Sequence, residues 1–524
     1  MQTLWLQTRR HFYEILKKQV DLILGPPTLE LAKYESKYQE LFNQVWEVSD
    51  NEEIFRRIEH THLILGGDFH PFSQSQRTHL RLLREIKKRS SKNIILALEV
   101  FEEKDQKLLQ RFLEGKIEVT DFWDQCDWSS RWPGIPTNGY ERLLLWARKS
   151  QVPVMGINSM DLSSLKERDV FSGHKIETLS KKNPEALIYV VYGEFHLADA
   201  HLPRHIPSYE PKRDLRILLN SEDLYFELAE HAVEDRFDVL KLEDRFCILS
   251  SPPWVKWQSY LLSLQELDDE FIDDCEEWDV DLTEYIAQLL SLLVADFELP
   301  DMNSTLSVYS SSEMDLEHMY QQDLSKEDLK RLEYVIATEK NLVLPTQGVQ
   351  YLGRTTVNQA ASLAGEILHA QLSGRHNIIW EDLLSFEAKV WIEAVSFFLS
   401  LTINPKRQAI SEKDLQAQLE AQGEKEYAIE VLQYALDFRL SVVKKAQSGE
   451  VRTPVSKPTD WHIEMEASVI LGEMMGQRLY EAYRLGLVRR EQLVHYFSLP
   501  IDSLKFMAMF DFLNAKLENK ENLN

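Results

Sequence analysis

Continuous apolar runs alternate with amphipathic segments along the first half of the chain. Helical spacing of apolar residues predicts helices in the amphipathic segments, for example over Gln74–Arg89 and Asp105–Glu114. Because strands alternate with helices, we expect a parallel α/β sheet with right-handed crossovers. A further run, Phe246–Ser250, predicts one extra strand. The runs that predict strands buried on both faces are His62–Gly66, Asn93–Glu99, Val152–Asn158, Leu187–Gly193 and Leu215–Asn220.

The pattern changes in the second half, where only helical spacing is found from about Tyr285 onward. The segments Ala361–Glu366 and Ser468–Glu473 are weakly alike, which is compatible with a remote helical repeat or with chance. This half therefore predicts an all-α domain. Its predicted helices include Asn358–Leu372, Trp380–Leu399, Lys413–Ala421, Ile463–Leu485 and Ser503–Leu517.

Between the halves, Glu266–Glu284 holds eleven acidic residues in nineteen and no basic residue. A solvated linker is favoured over a calcium loop, because the D-x-D-x-D-G spacing is absent. The predicted organisation is an N-terminal helical segment (1–54), an α/β domain (55–263), an acidic linker (264–284), an all-α domain of unassigned role (285–517) and a frayed tail (518–524).

Composition narrows the function classes. The 524 residues carry 59 Lys and Arg against 85 Asp and Glu, a net charge of −26, which excludes nucleic acid as a general partner but not a local basic pocket. Cys126, Cys247 and Cys275 are widely spaced, as in reducing compartments. Basic residues interrupt the apolar N-terminal segment and no apolar stretch reaches membrane-spanning length. We therefore expect a cytoplasmic chain without a signal peptide, lipid-acceptor cysteine or membrane span.

Candidate chemistry follows the predicted strands. Gly67-Asp-Phe-His70 follows the first strand, Glu99 ends the second, Asn158 ends the third, and Gly193-Glu-Phe-His196 follows the fourth. Because parallel strands end at one edge, where α/β sheets bind ligands, these residues are expected to converge. His70, Glu99 and His196 would suit Mn, Fe, Co or Zn, with a bound water as nucleophile.

Neighbouring residues leave alternatives open. Asp68 and Glu194 are candidate ligands, bases or partners of the two histidines. Arg168 and Asp169 form either an anion clamp or a surface ion pair at a helix start. The aromatic segment Phe122–Pro133 either stacks on a ligand or packs against the sheet. Glu366-x-x-His369 is disfavoured as a di-iron motif, because no second pair accompanies it.

These residues, in this order, resemble the ChaN family, described as haem-binding uptake proteins of the Tiki superfamily, to which erythromycin esterases are similar in fold. The resemblance covers about residues 55–220 and extends to 263 with the SPPWVKWQSYL segment. It is carried by GDFH at 67–70, IILALEVFEEKDQ at 94–106, Gly115, Trp128, Trp132-Pro133, Tyr140, Val154–Asn158, Arg168-Asp169 and VYGEFH at 191–196.

The resemblance implies a parallel-sheet α/β domain with a ligand cleft at the GxxH edge. It implies that His70, Glu99, Arg168 and His196 take the family's key positions. From the strand ends and from the Arg168-Asp169 pair we add supporting residues for binding: Gly67, Asp68, Asn158, Asp169, Gly193 and Glu194.

Three functions are carried forward. The first is haem or iron binding, as the ChaN resemblance implies. The second is metal-dependent hydrolysis of a small-molecule or peptide substrate, as in Tiki-like proteases or the esterases. The third is a non-catalytic scaffold that binds a protein partner through the helical domain; a homodimer is compatible with each. The chain departs from the ChaN pattern in having no lipid-acceptor cysteine and Asp68 where many relatives have Glu.

Overall fold

The computed structural model describes residues 2–265, 282–300, 306–310, 326–344, 349–375, 384–420, 426–448, 455–458, 460–501 and 503–518. The chain divides into two compact units, Met1–Asp279 and Val280–Asn524. Most of the predicted acidic linker and nearly all of the predicted tail lie outside the described residues. No helix in the described ranges combines the length and apolarity needed to cross a membrane.

The first unit is built on an eight-stranded sheet with the order β1-β7-β8-β6-β2-β5-β3-β4. The strands from β8 to β4 in this order are parallel, whereas β7 runs antiparallel to both of its neighbours. The strands are β1 (Glu47–Ser49), β2 (Leu63–Asp68), β3 (Ile94–Glu102), β4 (Val154–Asn158), β5 (Leu187–Gly193), β6 (Leu215–Leu219), β7 (Val239–Leu242) and β8 (Arg245–Ile248).

Helices cover this sheet and connect its strands. A short 3-10 turn, Glu194–Leu197, carries the second GxxH motif out of β5. The helices are α1 (Gln2–Leu24), α2 (Leu29–Gln39), α3 (Asn51–Ile58), α4 (Ser73–Arg89), α5 (Gln106–Leu113), α6 (Val119–Cys126), α7 (Trp128–Arg131), α8 (Asn138–Ser150), α9 (Leu165–Lys182), α10 (Glu222–Glu230) and α11 (Pro253–Gln265).

The predicted α/β class is confirmed, and all six predicted strands are present. Two strand ends were predicted too early: β2 continues past Gly66 to Asp68, and β3 continues three residues past Glu99 to Glu102, with a register shift against β4 after Leu98. Glu99 therefore lies inside a strand. The pattern also missed β1 and β7, which are only three and four residues long and partly exposed, so they carry no continuous apolar run.

The second unit is mainly helical, as predicted, but it also contains a small sheet that the sequence pattern did not predict. Its three short strands, in the order β10-β11-β9, are β9 (Ser307–Tyr309), β10 (Leu342–Leu344) and β11 (Val349–Tyr351). The helices are α12 (Leu282–Asp296), α13 (Lys326–Ala337), α14 (Val357–Ser373), α15 (Phe386–Ile403), α16 (Glu412–Glu420), α17 (Glu426–Ser448), α18 (Trp461–Arg484), α19 (Arg490–Phe497) and α20 (Leu504–Glu518).

The buried helix α15 packs against both α14 and α18. The two weakly alike segments lie on these partners, and each places a glycine against α15. A Cβ on Gly365 would lie 2.9 Å from Leu399 Cβ, and one on Gly472 would meet Glu393. Glycine thus serves close helix packing in both segments, whether or not they descend from a repeat.

Gly476, one turn beyond Gly472, gives a test of this packing. A Cβ there would overlap the backbone oxygen of Ala394, so we expect Gly476→Ala to lower the free energy of unfolding by about 1–3 kcal/mol. Denaturant unfolding of the whole chain, followed by circular dichroism, measures the change. The exposed Glu481→Ala control in the same helix should stay within about 0.5 kcal/mol. Unchanged or raised stability in Gly476→Ala would contradict the close packing.

Candidate functional site

Three adjacent strands bring the candidate residues together. In the sheet, β5 lies between β2 and β3, with Gly193 paired to Asp68 and Val191 paired to Leu98. The turns after β2 and β5 therefore begin at the same height along the strands, and Glu99 of β3 lies beside them. This is how residues almost 130 positions apart along the chain come to surround one carboxylate.

His70 is held from one side and faces Glu99 with the other. Its Nδ1 lies 3.0 Å from Asp68 Oδ2 and 2.9 Å from the hydroxyl of Tyr140, and its Nε2 lies 3.5 Å from Glu99 Oε2. The fully buried Asp68 carboxylate also accepts hydrogen bonds from Tyr140 and from Gln76 Nε2, the latter at 2.6 Å. These bonds fix the imidazole of His70, whose side chain is 17% exposed.

His196 repeats this arrangement at the other carboxylate oxygen of Glu99. Its Nδ1 lies 2.6 Å from Asp169 Oδ1, and its Nε2 lies 4.0 Å from Glu99 Oε1. The second oxygen of the Asp169 carboxylate accepts a 2.9 Å hydrogen bond from the hydroxyl of Tyr34. Two Asp–His pairs therefore face Glu99, each through Nε2 and each toward a different carboxylate oxygen.

The Glu99 carboxylate is buried and charged. The backbone N–H of Gly193 donates to Oε2, and a Cβ on Gly193 would lie 3.1 Å from that oxygen. Burial alone would raise the pKa of Glu99, but its interactions with His70 and His196 lower it below the usual range. Burial opposes the charge on His70, but Asp68 and Glu99 outweigh it and raise the pKa of His70 to about 10.

Glu194 lies in a separate buried ion pair behind the second motif. Its carboxylate accepts a 2.9 Å hydrogen bond from Lys256 Nζ of α11 and lies 3.4 Å from the hydroxyl of Tyr38. Burial raises the pKa of Glu194 even though Lys256 opposes the shift. Lys256 also lies 4.3 Å from the ring of Phe69, so it contacts both GxxH turns. Glu194 thus supports the turns and does not contact Glu99.

The other predicted residues lie at the same edge without contacting the Glu99 cluster. Gly67 is a buried residue of β2, where a Cβ would lie 3.2 Å from Leu197 Cδ1. Asn158 is buried at the end of β4, and its Oδ1 accepts a 2.8 Å hydrogen bond from the N–H of Ser159. Arg168 is half-buried, and its Nε donates to the carbonyl of Leu162 at 3.4 Å.

The three residues of the predicted metal site, His70, Glu99 and His196, lie together in the structure. The Nε2 atoms of His70 and His196 point at Glu99 itself. Across the ranges that the structure describes, no group of three or more His, Cys, Asp or Glu side chains is arranged to hold a metal ion. The metal-ligand role of His70, Glu99 and His196 stays a prediction.

Most of the aromatic segment packs against the protein, and its stacking on a ligand stays a prediction. Trp123 and Trp128 pack with Phe101 and Phe122 on the helical side of the sheet. Trp132 instead lies edge-on to His70, with ring centroids 5.1 Å apart, and its Nε1 donates to the carbonyl of Val100 at 3.0 Å.

Sequence reasoning missed the tyrosines and Lys256 that complete the site. Tyr34 and Tyr38 are spaced by four residues and therefore share a face of α2, the one signal that could have marked them. Tyr140 is among the residues that carry the family resemblance but was assigned no role, yet it is fully buried and bonds Asp68. Burial raises the pKa of Tyr140 well above its ordinary value, so the hydroxyl acts as a donor.

Comparison with known proteins supports the resemblance over part of this unit. Residues 54–164 match a family model described as "Haem-binding uptake, Tiki superfamily, ChaN". The match contains His70 and Glu99 and ends before Asp169 and His196. A solved structure, "Cofacial heme binding to ChaN of Campylobacter jejuni", is similar at 16% identity and a TM-score of 0.26, covering 33% of this chain and 87% of that chain. No curated protein matches the chain.

The raised pKa of His70 predicts a charged imidazole at neutral pH. This pKa, about 10, lies above the ordinary 6.5, so the charged imidazole of His70 adds to the free energy of unfolding. The contribution is complete below about pH 6.5 and is lost as the pH rises through 10. NMR of ring-¹⁵N-labelled histidine should show a protonated His70 through pH 8, with the signal assigned by its loss in His70→Gln. A titration midpoint below pH 7 would contradict the interaction with Asp68 and Glu99.

Proposed function

We propose that the α/β unit binds haem at the edge of the sheet formed by the two GxxH turns. The match of residues 54–164 to a haem-binding family supports this proposal. The structural observation that carries it is His70, a partly exposed imidazole oriented through Nδ1 by a buried carboxylate. Histidine held in this way is a common axial ligand of haem iron.

The donor set at this edge fits haem with His70 as the iron ligand. Because the imidazole of His70 is charged at neutral pH, binding of iron would displace the proton from Nε2, the atom that faces Glu99. Tyr140 lies close by, but its hydroxyl donates to Asp68 and its raised pKa disfavours the phenolate that would bind iron. His196 is less exposed than His70, with a side chain that is 10% exposed. Bound haem would supply a redox-active iron, and this chain's part is to hold and orient it.

Arg168 is the cation at this edge that suits a haem propionate. Its guanidinium forms no ion pair within the described ranges. Burial raises the pKa of the Tyr192 hydroxyl, and the nearby charge of Arg168 partly offsets that rise. Arg131 is less suited, because Asp105 holds it at 2.6 Å and Glu102 at 3.3 Å. Trp132, beside His70, offers an aromatic edge to the macrocycle.

Titration of the purified chain with haemin tests this proposal. We expect a Soret shift that saturates near one equivalent, with affinity at least about tenfold weaker in His70→Gln. Glutamine keeps a hydrogen-bond donor near Asp68, so folding should be retained, and circular dichroism checks this. The matched control is His174→Gln, an exposed histidine of α9. No saturable shift, or equal affinity in both variants, would contradict haem binding at His70.

A second candidate is metal-assisted hydrolysis at the same residues. The observation that favours it is the pair of Asp–His units, Asp68–His70 and Asp169–His196, that flank Glu99. An outer carboxylate on Nδ1 is the usual way in which proteins orient a metal-binding imidazole. His70, His196 and Glu99 would hold the divalent ion, which would supply an acidic bound water, and Arg168 would bind the developing oxyanion.

Cobalt(II) titration separates this candidate from haem binding. If the residues bind a divalent ion, visible absorption bands should saturate near one equivalent and disappear in Glu99→Gln, because a neutral amide is a poor ligand. The exposed Glu118→Gln serves as the control. Absent bands in the parent chain, or bands that survive in Glu99→Gln, would count against metal-assisted hydrolysis at this site.

A further inference from the structure

A basic groove lies between α4 and α8, apart from the Glu99 cluster. It encloses about 530 Å³, within the range of small-molecule sites. The two helices approach closely near their N-termini, where a Cβ on Gly139 would overlap the side chain of Gln76. The five cations that line the groove are Arg77, Arg81 and Arg84 of α4 and Arg142 and Lys149 of α8.

The charge of this groove opposes that of the whole chain. The helix α4 alone carries six Lys or Arg and one Glu, whereas the net charge of the protein is −26. Arg77, Arg81 and Arg84 are spaced by four and three residues, so they share one face of α4. Arg142 and Lys149 are seven residues apart and therefore share a face of α8. Helical spacing thus gathers the five cations along one groove.

Few acidic side chains of the described residues neutralise the charges of these cations. Within the described residues, Arg77, Arg84, Arg142 and Lys149 form no ion pair with an acidic side chain. Arg81 donates to the Thr78 hydroxyl at 2.9 Å and is attracted by Asp238. Partial burial and then the charges of Arg142 and Arg81 lower the pKa of Arg77, as expected where cations from both helices lie close together. A multiply charged anion would relieve this repulsion.

The floor of the groove is apolar. Leu80 and Trp146 are buried beneath it, whereas Leu145 is 41% exposed. Leu145 lies one turn from both Arg142 and Lys149, so it presents an apolar surface between their charges. Inorganic phosphate would use the cations alone. A ligand with phosphates and a flat apolar ring would use both surfaces.

We propose that the groove between α4 and α8 binds a small organic polyphosphate of the nucleotide class, with its phosphates on the arginines and its ring over Leu145. Guanidinium groups recognise phosphate by paired hydrogen bonds, which suits this lining. The groove is sized for a small molecule, and the acidic remainder of the chain repels nucleic acid and anionic membranes. This site is independent of the proposed haem site.

Isothermal titration with ATP and with inorganic tripolyphosphate tests the proposal. We expect ATP to bind near one equivalent and Arg77→Gln/Arg142→Gln to weaken it at least about tenfold. The control Lys87→Gln/Lys107→Gln removes the same charge from exposed positions outside the groove and should leave the affinity unchanged. No saturable ATP binding at millimolar concentration, or equal losses in both double variants, would overturn the proposal.

The ring contact is tested separately. Leu145→Ala should weaken ATP about threefold or more and leave tripolyphosphate unaffected, because one exposed apolar contact is removed. If ATP and tripolyphosphate bind equally and Leu145→Ala changes neither, the assignment to nucleotides is wrong. A haemin Soret shift abolished by Arg77→Gln/Arg142→Gln but retained in His70→Gln would show that the groove binds haem, which would overturn both proposals in a distinguishable way.

Discussion

The fold of the first unit requires a hydrogen-bond donor or a cation beside each carboxylate that is buried at one edge of the sheet. Asp68, Glu99, Asp169 and Glu194 are all nearly inaccessible, as is Glu102. An isolated buried carboxylate costs far more free energy than a folded chain can spare, so each needs a proton donor or a cation within reach. Each has one here, and most of these partners come from parts of the chain that are distant in sequence.

This requirement explains why segments outside the strand–helix repeats are part of the site. The helix α2 supplies Tyr34 to Asp169 and Tyr38 to Glu194, while α11 supplies Lys256 to Glu194. The helix α4 supplies Gln76 to Asp68. The helices α2 and α11 are therefore components of the edge, and the α/β unit that forms the site is larger than its repeating core.

Residues of the site could be predicted where a short stretch of sequence marks them, and could not where only the fold brings them together. The parallel sheet and the positions of His70 and His196 follow from continuous apolar runs and the GxxH motifs at their ends, which can be read from a short stretch of sequence. Which of Arg168 and Asp169 contacts a histidine depends on the rotational phase of α9, a helix that begins after the capping residue Ser164. That phase turns Asp169 to His196 and leaves Arg168 half-exposed. The residues around a tyrosine of α2 do not show which distant side chain it contacts, so its role could be assigned only from the fold.

Stability alone does not account for this edge. Replacing a buried ion pair by apolar side chains of similar volume is often neutral or stabilising, whereas losing one partner costs about 3–5 kcal/mol. A sheet edge selected only for stability would therefore be apolar, like the strand interiors beside it. The edge instead keeps two oriented imidazoles around one carboxylate, with the pKa of His70 raised and that of Glu99 lowered. Strong perturbation of paired groups is characteristic of functional sites, and here it lies at the sheet edge where α/β folds bind ligands.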